Sequence, residues 1–242
     1  MINLGRLMTA TPIPIGGGVY FHQPNLREII DMGEETYWSL LKVWDLSRRE
    51  MIEQENEETM AMSDYEIWQT IVLNNAKMQA QVMASVDCFF HTKIEFLPVS
   101  NTIMIGEGES HFILNSGIYM FIQEISRSLT DMFDSKEESQ YQETDNMSER
   151  EKQLIRKMKE SAAKLDKIKN GERDGRDRLI KQIISLVAIG GYTFDEVYSM
   201  TIVQMISLLK KYVEIQQYEL YTALSPYRDS KKSQPIQHWL DT

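Results

Sequence analysis

The sequence predicts a mainly α (α+β) protein: a helical chain with a small antiparallel β-hairpin or meander in its N-terminal part and a C-terminal helical subdomain. Three observations carry this. Apolar residues recur at three-and-four spacing over most of the chain, as one face of a helix requires. Period-two alternation is confined to short runs around residues 13–21 and 93–114, each beside glycines able to turn the backbone. With 242 residues, 42% of them hydrophobic, the chain can bury one large core or two small ones. It divides into an α+β N-terminal domain (1–133), a charged linker and exposed helix (134–178) and a C-terminal helical subdomain (179–242).

The run Ile13 to Phe21 reads as two short strands around Gly16-Gly17-Gly18. Gln23-Pro24-Asn25 stops the second strand, and Asn25 caps a helix from Leu26 to Met32 with Glu28 three positions on. Gly33 breaks it before an aromatic-bearing helix, Glu34 to Val43. Arg48 to Met62 is charged, either an exposed helix or a loop. Ser63-Asp64-Tyr65-Glu66 starts a long amphipathic helix reaching Phe90, with Asn75 its one polar interruption. Lys93–Leu97, Thr102–Ile105 and His111–Leu114 alternate as strands around Gly106 and Gly108. Asn115 or Ser116 then caps a helix over about Tyr119–Met132. Asp134 to Ser148 is a polar, acidic linker, and Glu149 to Ile168 a charged helix broken by Asn170-Gly171 and Gly175. From Leu179 an apolar helix runs to Gly190-Gly191. Thr193 caps a short helix with Glu196 as capping-box partner, and Thr201 caps a longer one ending at Ser225-Pro226.

Composition narrows the function. No apolar stretch reaches 18 residues, so no membrane span is expected, and nothing at the N-terminus reads as a secretory leader. A cytoplasmic protein is expected. The single cysteine, Cys88, sits beside Phe89 and Phe90 and is expected to be a small buried hydrophobe. The net charge is −10, which repels nucleic acid as a whole. The charge is uneven: residues 28–66 carry twelve acidic side chains against three basic, a net of −9, and residues 152–181 eleven basic against five acidic, a net of +6. The bland reading of that basic stretch is a solvated helix and linker.

Nothing in the sequence assembles a catalytic centre, and no enzyme, cofactor or metal is expected. His22, His91, His111 and His238 have no ligand spacing, although His91 and His111 flank the predicted strands and can meet in space beside Glu95 or Glu109. Gly16-Gly17-Gly18 lacks the Lys-Ser/Thr of a phosphate loop, and Gly106-x-Gly108 lacks a third glycine; both read as turns. No serine lies in a nucleophile elbow. The carboxylates of Glu53 to Glu58 have no apolar wall to raise a pKa. The helix–glycine–helix outline after Leu179 is also that of a DNA-binding motif. Its reading helix would be Thr193–Met200 or Thr201–Lys211, and neither offers Arg, Asn or paired Lys on one exposed face.

One succession of segments is distinctive. It opens with Ile13-Pro14-Ile15-Gly16-Gly17-Gly18-Val19-Tyr20-Phe21-His22-Gln23-Pro24, then Leu26-Arg27-Glu28-Ile29 and Gly33-Glu34-x-x-Tyr37. A small strand pair near Lys93 to Leu114 and a charged helix with a basic linker follow. The end carries Gly190-Gly191-Tyr192, Met200-Thr201-Ile202-x-Gln204-Met205, Tyr218-Glu219 and His238-Trp239-Leu240. In order and texture, over nearly the whole chain, this resembles the tail assembly chaperones of tailed phages and prophages of Gram-positive bacteria. The apolar Tyr119–Met132 helix departs from the polar strand-to-helix pattern of that family.

The resemblance implies a non-enzymatic protein made early in tail morphogenesis. It would bind the tape measure protein, keep its long helices from aggregating while tail tube subunits are recruited, and be absent from the finished particle. Fifteen methionines suit an adaptable apolar surface, although core filling is the commoner use. Met205, Leu209, Tyr212, Tyr218 and Trp239 are the candidate client- or self-contact residues. Two other readings stand beside this one: a structural virion protein of the tail, connector or baseplate, and a helix-turn-helix regulator using the Lys152–Lys181 basic stretch.

Overall fold

The computed structural model of the chain describes residues 4–52, 60–134, 153, 156 and 178–224. The carboxylate run Glu53–Glu58, all but the first residue of the linker expected over Asp134–Ser148, nearly all of the charged helix and the closing His238-Trp239-Leu240 lie outside them. Helix α1 (Leu4–Met8) leads into strands β1 (Ile13–Gly16) and β2 (Val19–Phe21), then helices α2 (Leu26–Met32), α3 (Glu34–Lys42) and α4 (Arg48–Met51). Helices α5 (Asp64–Asn74) and α6 (Ala76–Phe90) precede strands β3 (Ile94–Leu97), β4 (Thr102–Glu107) and β5 (Ser110–Ile113). Helices α7 (Ser116–Asp134), α8 (Arg178–Gly190), α9 (Phe194–Tyr198) and α10 (Ile202–Leu224) complete the described chain. The class is mainly helical α+β, with a two-stranded and a three-stranded antiparallel sheet.

The local signals are those of the sequence. Asn25 accepts from the Glu28 amide while the Glu28 carboxylate takes the Asn25 amide, a complete capping box, and Ser63 with Glu66 repeats it. Asn115 Oδ1 accepts from Ile118 N–H at 3.0 Å at the start of α7. The helix expected to run unbroken from Tyr65 to Phe90 is instead two. Asn75 is extended (φ −126°, ψ 106°) and its side chain accepts from the amides of Lys77 and Met78. A short polar side chain thus outcompetes the continuing helix for its own backbone donors.

The chain forms two compact units: residues 1–134 with 195–204, and residues 135–194 with 205–242. Residues 195–204, expected in the C-terminal subdomain, therefore belong with the first unit. They are tied there by Leu26 N–H to Met200 C=O (2.8 Å), an Asn25–Thr201 bridge and the Arg27–Asp195 ion pair (2.8 Å).

The core of the first unit is an aromatic chain. Phe21 stacks on Phe89 (5.2 Å between centroids) and meets Phe90 edge-on; Phe90 meets Trp44, which stacks on Trp68 (5.1 Å), and Trp68 lies against Tyr119. All six rings are buried. Both buried indoles have acceptors. Trp68 Nε1 donates to Val43 C=O at 2.8 Å and Trp44 Nε1 to Ser85 Oγ at 2.7 Å.

In the meander, Ile94 faces Ile105 and Phe96 faces Ile103, while Ile105 faces Phe112. That face is the buried one. Lys93, Glu95, Met104 and Ile113 lie on the other by strand alternation, and Ile113 is 60% exposed. The glycine turn of the β1–β2 hairpin rests on β5. Gly17 has φ +54°, and a Cβ there would collide with the His111 carbonyl oxygen. Two demands, a left-handed backbone and a close approach, thus fall on one residue.

Candidate functional site

His91 does not meet His111. It is the left-handed C-cap of α6 (φ 50°), and its ring stacks on His22 at 4.6 Å. The amide of His22 donates to Phe89 C=O at 2.6 Å, so the exit of β2 is pinned to the end of α6. Desolvation first, and then the neighbouring His91, lower the His22 pKa below its ordinary value. His111 Nδ1 instead lies 2.7 Å from Gly108 C=O, closing the β4–β5 turn. Among the described residues no three His, Cys, Asp or Glu side chains converge as a metal site would require.

Cys88 is partly exposed rather than fully buried. Burial, reinforced by the Glu28 and Asp87 carboxylates, pushes its thiol up to about 11, so it is protonated at neutral pH and a poor nucleophile. A hollow of about 560 Å³ runs along α7 past Met120, Phe121, Glu124 and Arg127, and among the described residues that helix alone lines it. Its described lining residues form no nucleophile–base pair.

The DNA-reading outline fares no better. Helix α9 has five residues, and its Asp195 is paired with Arg27, whose guanidinium also lies 5.4 Å from the Tyr198 ring centroid. Thr201 and Gln204 cap α10 reciprocally (2.9 and 3.3 Å), and Ile202, Val203, Met205 and Ile206 behind them are buried.

The candidate contact residues divide. Met205 is completely buried, so it is a core side chain and not part of a contact surface. Leu209, Tyr212 and Tyr218 are partly buried, and the Tyr212 hydroxyl reaches Gly190 C=O at 3.4 Å. Trp239 lies outside the described residues. On a helix that is apolar nearly all round, spacing cannot say which sector is covered.

Large apolar side chains are exposed at several places, among them Val99, Ile113 and Met120, and on α8 they form a row at helical spacing. Leu179, Ile183 and Leu186 are buried, but Ile180 and Ile184, one turn apart, are 48% and 50% exposed. Ala188 continues their row in the open, and Val187 borders it. The apolar sector of α8 is thus wider than the part that is covered. The helix carries two cations, Arg178 and Lys181, and no carboxylate. The signal was present in the sequence as an apolar sector too wide for one packing partner, but not its exposure.

Among the described residues no helix is long and apolar enough to cross a membrane. Comparison with family models, curated proteins and solved structures gives no match to this chain.

Proposed function

We propose that the protein is a non-enzymatic phage tail assembly chaperone, acting in the bacterial host cytoplasm, that binds the tape measure protein as a helical client and assists assembly of the tail tube. The observation that carries this reading is the stripe Ile180–Ile184–Ala188 on α8. It follows helical spacing and has cations, Arg178 and Lys181, at its N-terminal end only. An amphipathic helix laid along it buries apolar surface on both partners, the helix-to-groove mode of recognition. The succession of motifs from Ile13 to Leu240 supports the same role.

Co-expression with the tape measure protein of the same genome tests it. The intact chaperone should raise the soluble yield of that protein and co-purify with it. Ile180→Asp with Ile184→Asp should abolish both effects while leaving the chaperone folded, because both side chains are half exposed. An unchanged yield without co-purification refutes the proposal. Abundant copies in finished particles would favour a structural virion role instead.

A further inference from the structure

The two edges of the β3–β4–β5 sheet are treated differently. At β5 the Gly17–Gly18 turn lies against His111 and Ser110. At β3 no described strand or loop pairs with the edge. Lys93 C=O accepts from Gly106 N–H at 2.8 Å, and β3 runs antiparallel to β4 with Glu95 opposite Met104 and Leu97 opposite Thr102. Bonded pairs alternate along such a ladder, so Lys93, Glu95 and Leu97 direct their backbone groups to β4. Ile94 and Phe96 direct theirs away from the sheet. Among the described residues no backbone or side-chain group bonds the outward amides and carbonyls of Ile94 and Phe96.

A row of unpaired N–H and C=O groups is complementary to one thing, an extended strand. The side chains select which. Lys93 and Glu95 are both exposed, lie on the same outer face and are two positions apart. An antiparallel copy of β3, placed with Ile94 opposite Ile94, sets Lys93 of each chain opposite Glu95 of the other. Of the two other in-phase registers, the one with Glu95 opposite Glu95 sets like charges face to face, and the one with Phe96 opposite Phe96 sets Ile94 opposite Pro98, which has no N–H to donate. On the inner face the same register brings the two partly buried Ile94 side chains together at the open end of the core.

We propose that β3 pairs antiparallel with β3 of a second copy of this chain, through the Ile94–Ile94 register, joining the two sheets across a two-fold axis. The strand has only four residues, so the contact is smaller than a standard interface and the association is weak and concentration-dependent. Lys93, now 2.9 Å from Glu107, would then lie between two carboxylates.

Analytical ultracentrifugation of the full chain, from low micromolar to several hundred micromolar, tests the proposal. The weight-average mass should rise with concentration. Glu95→Lys and Lys93→Glu should each weaken self-association at least tenfold, and an equimolar mixture of these two variants should restore it, because the mixed pair regains both attractions. Hydrogen exchange on the wild type gives an independent reading: the Ile94 and Phe96 amides should slow with concentration. A wild type that stays monomeric throughout overturns the proposal, as does self-association indifferent to both charge changes. The Ile180→Asp and Ile184→Asp changes should leave this association intact, so its failure and that of the chaperone reading are distinguishable.

Discussion

Ser85 is a single hydroxyl on which two buried groups depend. It is fully buried in α6, accepts from Trp44 Nε1 at 2.7 Å and donates to Leu40 C=O at 2.8 Å. Leu40 lies in the last turn of α3. The amide of Trp44 goes to Leu41 C=O instead, so the Ser85 hydroxyl satisfies a helix-end carbonyl that the helix does not. Ser85→Ala preserves helix propensity and nearly preserves volume, yet strands an indole N–H and a carbonyl away from water. Each stranded group costs about 1–3 kcal/mol, so a loss of about 3 kcal/mol is expected. Urea unfolding followed by far-ultraviolet circular dichroism should show it as a lower midpoint at an unchanged slope. In a Trp44→Phe background the donor is already gone, and the same substitution should cost less by about 1 kcal/mol or more. A cost for Ser85→Ala below about 1 kcal/mol, or strict additivity of the two changes, would show that the relay does not hold the two helices together.

Two further outcomes are expected. Gly17→Ala should destabilise the chain well beyond Gly108→Ala. Both residues are left-handed (φ +54° and +60°), but only at Gly17 does a Cβ meet the His111 backbone, whereas nothing lies within 4 Å at Gly108. Gly108→Ala should lose about 1–2 kcal/mol, the left-handed penalty alone, and equal thermal shifts for the pair would refute the close-approach account. For the His22–His91 stack, the His22 pKa is lower in the folded chain than the unfolded value of about 6.5, so protonation favours unfolding. This contribution to stability is complete above about pH 6.5 and is lost as the pH falls through 6.5 toward the folded value. Proton NMR should find His22 titrating below an ordinary histidine, and His91→Asn should raise it only in part, because desolvation is the larger cause. A His22 titrating at or above 6.5 would refute the account.

Signals carried within about four residues were legible in the sequence. The capping boxes of Asn25–Glu28 and Ser63–Glu66, the Thr201 cap, the glycine hairpin and the three-strand run 93–114 all form where the residue pattern placed them. Each is a hydrogen bond or an alternation that the local chain can specify by itself. What required the tertiary structure is every choice among distant partners. His91 takes His22 rather than His111, because β2 ends against α6. Residues 195–204 join the first unit through Leu26 and Arg27, some 170 positions away in sequence. Met205 is closed off while Ile180 and Ile184 stay open, a difference that apolar spacing cannot encode: periodicity marks which residues prefer to leave water, and only packing decides which of them do.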